Sequence, residues 1–275
     1  MAEIINEVQD MTYLTWAKVR NSSGTAGSFL KSYEEKNGAK VYYKLSDYDA
    51  YRGILGHECI NEIIVDRLLS LLGIEHLEYR LIHADILIDG KKHTTWLCSS
   101  DDFRKRGESK IALDAYYNSE RTDMDESPLN FCIRCGWGKN VYEMLVVDYL
   151  ILNRDRHGAN IEVLRNSSLR TLRLAPLFDH GLSLLCRCQT LAALERENVM
   201  EDKPVNSFLG SRSAFENLKL IPPAEYPKLN SLRESDKQEV IGGLENALEL
   251  VWLEKIWEMI WRRWQTYEDL CNQRR

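Results

Sequence analysis

The sequence predicts a two-lobed α+β fold, with a small β-rich lobe carrying one helix over residues 1–100 and a mainly helical lobe over 101–275. Three observations carry this. The first hundred residues read as short strands separated by glycine-bearing turns, interrupted by one long helical stripe. Beyond them strand-forming runs thin out, and from about 234 to 270 the apolar positions follow a helical period. Between Asp148 and Leu185 two polar islands, 153–160 and 179–181, are bracketed by apolar runs. Apolar flanks of this kind hold a polar loop in place, which is how a fold keeps chemical groups rigid.

Size and composition agree with a folded chain. Its 275 residues suffice for two lobes, and a hydrophobic fraction of 44% argues against disorder. Lys and Arg number 36 against 42 Asp and Glu, a net charge of −6 at pH 7. With no long basic tract, general nucleic-acid binding is not expected, and neither is polybasic attachment to a membrane. A nucleotide needs only local positive charge and remains compatible. The opening Met1-Ala2-Glu3-Ile4 lacks the basic start and apolar run of a secretory signal, and no apolar run has transmembrane length. Seven cysteines, an odd number, fit a reduced cytoplasmic protein. The pairs Cys132/Cys135 and Cys186/Cys188 are far apart and the second is tight, so buried thiols are expected rather than a zinc site.

In the amino-terminal lobe, residues 13–19, 29–33 and 40–45 have strand composition, and Asn37-Gly38 between the last two is a strong hairpin signal. The intervening Gly/Ser/Thr loop contains Gly24, Thr25, Gly27 and Ser28. Such a loop can lay backbone N–H groups against phosphate oxygens. Lys44 stands between apolar neighbours on the third strand. A helix is expected over 56–72, with Ile60, Ile63, Ile64, Leu68, Leu71 and Leu72 on one stripe and Gly73 as the cap. Glu58 and Glu62 lie a turn apart on it; either can reach Lys44, and Glu62 follows the apolar stripe more closely. Two more strands, 77–88 and 91–98, flank the Asp89-Gly90 turn. Residues 99–102 then read as the link between lobes, and Cys98 and Ser100 are the candidates to meet an adenine edge.

The carboxy-terminal lobe is less regular. A helix from Asn140 to Leu152 delivers the first polar island, a short hairpin spans 163–174, and Pro176-Leu177-Phe178 leads into Asp179. Trp252, Ile256, Met259, Ile260 and Trp264 form a stripe that reads as core. Segments 103–138 and 190–233 carry no clear period.

The islands suit phosphoryl transfer, which asks for a carboxylate near the attacking hydroxyl, oxygen ligands for magnesium and cations on the phosphates. Asp155 supplies the first, Asn160 and Asp179 the second, and Lys44 the third. His157, two residues after Asp155, is a candidate catalytic-loop residue that fixes an aspartate by hydrogen bonding. ATP and magnesium are the cofactors this set implies.

Asn153-Arg154-Asp155-Arg156-His157-Gly158-Ala159-Asn160, followed by Pro176-Leu177-Phe178-Asp179, resembles the catalytic segment of the HipA-like serine/threonine kinases, with its N-x-D-x-H-x-x-N and P-x-[YF]-D patterns. The resemblance implies a protein-kinase-like fold, Asp155 as catalytic base, Asn160 and Asp179 as magnesium ligands, Lys44 on the phosphates and Glu62 as the helix acid. It also implies a protein substrate, an antitoxin-like partner in the toxin members, and autophosphorylation of a phosphate-loop residue, for which Ser22, Ser23, Thr25 and Ser28 are candidates. The pattern is similar too to phosphatidylinositol 3- and 4-kinases, which share the histidine position. A lipid or small-molecule kinase is therefore the alternative on the same fold, and a non-catalytic nucleotide-binding regulator or scaffold is the alternative of another class.

Overall fold

The computed structural model describes residues 2–17, 29–36 and 38–273. The chain divides into two compact units. The first comprises Met1–Asp102, Asp179–Glu197 and Arg233–Trp257, and the second Phe103–Phe178, Asn198–Leu232 and Glu258–Arg275.

The first unit is built on a five-stranded sheet. Strands β1 (Glu3–Asp10), β2 (Lys31–Lys36) and β3 (Ala39–Leu45) precede a two-residue hairpin, β4 (Tyr48–Asp49) and β5 (Gly53–Ile54). Helix α1 (Glu58–Leu72) follows, then β6 (Arg80–Ile88) and β7 (Lys91–Asp101). The sheet order is β1-β6-β7-β3-β2, with β1 parallel to β6 and the other pairs antiparallel. Asp89 and Gly90 both have positive φ, the geometry that lets a two-residue turn follow the strand twist. Tyr43, Leu45, Ile82, Ala84, Ile86, Ile88 and Leu97 point from one face into an apolar cluster with Met11, Leu14 and Leu30. Side chains alternate along a strand, so Lys44, between Tyr43 and Leu45, must point to the opposite face. That face carries α1, which is capped by Gly73 in the left-handed conformation and is buried almost all round. Its Ile63, Ile64, Val65, Leu68 and Leu69 are fully buried, each worth about 1.5–3 kcal/mol for an aliphatic side chain of this size.

Two expectations are corrected here. Residues 13–16 are not a strand; only Ala17 pairs, through an isolated bridge to Lys31, while Lys18 and Val19 lie outside the described residues. Met11 and Leu14 instead cover the sheet, which explains the strand-like composition of this stretch. Ser99, Ser100 and Asp101 are not a linker but the end of β7, paired with Tyr43, Tyr42 and Val41.

The second unit opens with β8 (Glu108–Ala112), α2 (Leu113–Glu120), α3 (Pro128–Arg134) and α4 (Gly138–Leu150). Ser127 caps α3 by accepting from the Asn130 amide, with Pro128 at the first helical position. The two-residue strand β9 (Asp155–Arg156) is followed by β10 (Glu162–Asn166) and β11 (Thr171–Leu174), and β10 is the middle of a β11-β10-β8 sheet. Later come α5 (Leu191–Glu195) in the first unit, β12 (Asn206–Ser207) and α6 (Ala214–Leu218) in the second, and α7 (Lys237–Ile241) in the first. The last helix, α8 (Leu250–Gln273), begins in the first unit and ends in the second. Its Trp252, Ile256, Trp257, Met259, Ile260 and Trp264 are buried. No helix among the described residues is long and apolar enough to cross a membrane.

Candidate functional site

In the first unit Lys44, Glu62 and Asp179 come together. The Lys44 ammonium donates to Glu62 Oε1 at 2.8 Å and to Asp179 Oδ1. Glu58 turns elsewhere: its carboxylate accepts from the Asp47 amide at 3.1 Å. Glu62 is fully buried and satisfied on every side, since Oε2 accepts from the His180 amide at 2.8 Å and Oε1 from the Gly181 amide at 3.1 Å. A buried carboxylate is tolerable only with such partners. Burial opposes the charge on Lys44, but Asp179 and then Glu62 more than offset it, and its pKa lies well above the ordinary lysine value. Burial likewise pushes the Asp179 carboxyl up, yet Lys44 and, more weakly, Lys31 pull it further down, to well below the usual carboxylate range. Asp179 is therefore an anion with about a quarter of its side chain exposed (26%), against 11% for Lys44.

The backbone around Asp179 is as constrained as its carboxylate. Asp179 has φ 57°, a left-handed conformation that Asp adopts more readily than most residues but still at a cost. Its N–H donates to the Tyr79 hydroxyl at 3.3 Å, and Tyr79 N–H in turn donates to Asp66 Oδ2 at 2.7 Å. On α1, Asn61 Nδ2 donates to the carbonyls of Gly181 and Ser183 at 2.9 and 3.1 Å. Gly181 sits in tight space: a Cβ there would lie 3.0 Å from Glu58 Cβ and 3.2 Å from Lys44 Nζ.

In the second unit a separate network fixes Asp155, His157 and Asn160. Asp148, near the end of α4, accepts from Arg156 Nε and a terminal guanidinium nitrogen at 3.0–3.2 Å, and from Asn153 Nδ2 at 2.9 Å. Arg156 is 1% exposed; its other terminal nitrogen donates to the carbonyls of Phe178 at 3.0 Å and Asn160 at 3.3 Å. Asn153 Oδ1 accepts from the Asp155 amide at 3.2 Å, so the loop is pinned from both sides of Asp155. The Asp155 carboxylate accepts from Asn206 Nδ2 at 3.2 Å and has His157 Nε2 at 3.6 Å, too far for the hydrogen bond expected of that histidine. Asn160 Nδ2 donates to the Asp155 carbonyl at 2.8 Å, which commits its nitrogen and leaves Oδ1 as the end able to ligate a cation. Gly158 is required for packing, since a Cβ would lie 2.5 Å from Asp114 Cβ.

Both candidate magnesium residues thus offer oxygen, the donor type that hard cation prefers, one as an anion and one as a neutral amide. Among the described residues no group of three or more His, Cys, Asp or Glu side chains could hold a metal ion. Cys132, Cys186 and Cys188 are buried thiols, and Cys135 is a half-buried one. Of the remaining candidates, Cys98 lies opposite Lys44 in the β3–β7 ladder and Ser100 opposite Tyr42, both buried. A hydrogen bond with Cys59 and burial push the Cys98 thiol well above its ordinary pKa, so it is no nucleophile. Gly24, Thr25, Gly27 and Ser28 lie outside the described residues. Sequence reasoning overlooked Tyr79, Asp148, Arg156 and Asn206. Asp148 left a trace, as an acid inside the apolar run Leu145-Val146-Val147-Asp148-Tyr149-Leu150; Tyr79 and Asn206 left none.

The chain has a kinase-like fold, an α+β architecture with its sheet in the amino-terminal region and helices predominating later. It is similar in structure to a Helicobacter pylori proinflammatory kinase, CtkA, with a TM-score of 0.64 and 16% identity over 98% of each chain. The HipA–HipB toxin–antitoxin complex of Shewanella oneidensis MR-1 with operator DNA also contains a similar chain, at a TM-score of 0.46 and 15% identity over 92% of this chain and 68% of that one. No protein-family model and no curated protein matches the sequence.

Proposed function

We propose that the chain is an ATP- and magnesium-dependent serine/threonine kinase acting on protein. The observation that carries this is the Lys44 ammonium held between the Glu62 and Asp179 carboxylates on a kinase-like fold. Lys44 would neutralise nucleotide phosphate charge, with Glu62 aiming it. Asp155 would accept the proton of the attacking hydroxyl, with His157 Nε2 standing 3.6 Å from that carboxylate. Asn160 and Asp179 would hold magnesium, which when bound supplies positive charge to the transferring phosphoryl group. Gly24, Thr25, Gly27 and Ser28 would cradle phosphates.

The test is transfer of labelled phosphate from ATP to the chain itself and to an added protein, with Asp155→Ala and Asp179→Ala measured separately. Loss in both is expected; undiminished incorporation in both would overturn the assignment. Transfer to phosphoinositide vesicles and to no protein would favour a lipid kinase instead. Absence of any melting shift with millimolar ATP and magnesium would favour a scaffold. Two finer parts of the reading are separately testable: autophosphorylation at Ser22, Ser23, Thr25 or Ser28 by mass spectrometry, and an antitoxin-like partner by co-purification with a small DNA-binding protein encoded beside this chain.

A further inference from the structure

We propose that Tyr79 and Asn61 are positioning residues that lock Asp179 in its left-handed backbone and thereby set the affinity for a divalent cation. The proposal rests on the kinase reading, and adds to it two residues that reach the Asp179–Ser183 backbone rather than the Asp179 carboxylate. Five backbone groups between Asp179 and Ser183 are held by three side chains. The Asp179 N–H goes to Tyr79, those of His180 and Gly181 to Glu62, and the Gly181 and Ser183 carbonyls accept from Asn61. Asn61 and Glu62 are consecutive on α1, so one helical turn grips the segment after the aspartate while Tyr79, 8% exposed and anchored on Asp66, grips the aspartate itself.

The lock is needed because Lys44 cannot serve. Its ammonium holds Asp179 through the same carboxylate that a cation would take, so the two compete. The contacts from Tyr79 and Asn61 are to neutral backbone and persist whatever occupies the carboxylate. Without them a residue at φ 57° relaxes toward negative φ, and its carboxylate swings with it.

The experiment uses the full chain and compares wild type with Tyr79→Phe and Asn61→Ala. Two quantities are read: amide hydrogen exchange of residues 178–184 without ligand, and the magnesium concentration giving half-maximal ATP binding, beside ATP binding without metal. For Tyr79→Phe the expectation is exchange about fivefold faster and half-saturation at about fivefold more magnesium, as loss of one hydrogen bond gives. Metal-free ATP binding should be unchanged, and excess magnesium should restore full binding. Asn61→Ala should act in the same direction; if it fails to fold, Tyr79→Phe alone decides. Unchanged exchange and magnesium dependence would overturn the proposal, as would a parallel loss of metal-free binding, which marks general damage. A wild-type chain that binds no ATP at any magnesium concentration would instead overturn the kinase reading and the cation half of this proposal, while the exchange result still decides the lock.

Discussion

Replacing Glu62 by Gln tests the physical centre of the first unit. The carboxylate is fully buried and accepts from Lys44 Nζ, His180 N and Gly181 N. Glutamine keeps one acceptor oxygen and puts an NH₂ where the other stood. Loss of a charge-assisted hydrogen bond costs about 1.5–3 kcal/mol, and a buried N–H left facing another donor about 1–3 kcal/mol. Lys44 keeps Asp179, which limits the charge penalty, so the expected loss is about 3 kcal/mol for Gln. Alanine removes every acceptor and leaves a void, for about 5 kcal/mol. At roughly 2–4 °C per kcal/mol for a unit of this size, Glu62→Gln should melt about 6–12 °C below wild type. A double-mutant cycle with Lys44→Met isolates the pair, whose coupling should be about 1.5–3 kcal/mol. Melting of Glu62→Gln within 2 °C of wild type (roughly 1 kcal/mol or less) would refute the reasoning.

Three further predictions follow from the same geometry. Arg156→Met strands the buried Asp148 carboxylate and should lose about 3–5 kcal/mol in urea unfolding, with part of that recovered in the double variant carrying Asp148→Asn. Asp155→Asn keeps the shape of the loop and removes the base, so phosphate transfer should fall by about 10²–10⁴ at an unchanged melting temperature. His57 is 7% exposed with Nε2 unpartnered, and burial pushes its imidazole down to about 4. The unfolded chain takes up that proton near pH 6.5 and the folded chain does not, so stability falls as pH drops from 6.5 to 4, by about 2 kcal/mol at pH 5. His57→Leu should flatten this limb. Burial raises the neighbouring Glu58, which acts in the opposite sense, so the difference between the two proteins is the quantity to compare.

What the sequence discloses and what it hides separate along physical lines. The strand alternation around Lys44 and the apolar stripe of α1 are local, and both are present in the fold. So is the kinase-like architecture that the 153–160 and 179–181 spacings suggested. Strand β1 was missed because it is an edge strand, largely exposed, without an apolar alternation; its pairing with β6 is established some eighty residues later. Ser99–Asp101 looked like a linker because small polar side chains give no strand signal, yet backbone bonds to β3 hold them. The left-handed turn at Asp179 and the contacts from Tyr79 and Asn61 are long-range, and no spacing rule contains them.

The distance in sequence between Lys44 and Asp179 bears on how the protein is made. The first unit is discontinuous: residues up to Asp102 supply the sheet and α1, but both partners of Asn61 and two of the three donors to Glu62 lie beyond 178, and Arg67 waits for the Gly242 carbonyl. A nascent chain that has emerged only to Asp102 therefore carries a helix whose Asn61 amide lacks its partners and whose Glu62 carboxylate has Lys44 but not the two backbone N–H groups that complete it. At about 5–20 residues per second, roughly 150 more residues take about 10–30 s to appear. The first unit must spend that interval incomplete on the ribosome, so it completes late in synthesis and a fragment ending at Asp102 should not fold stably by itself.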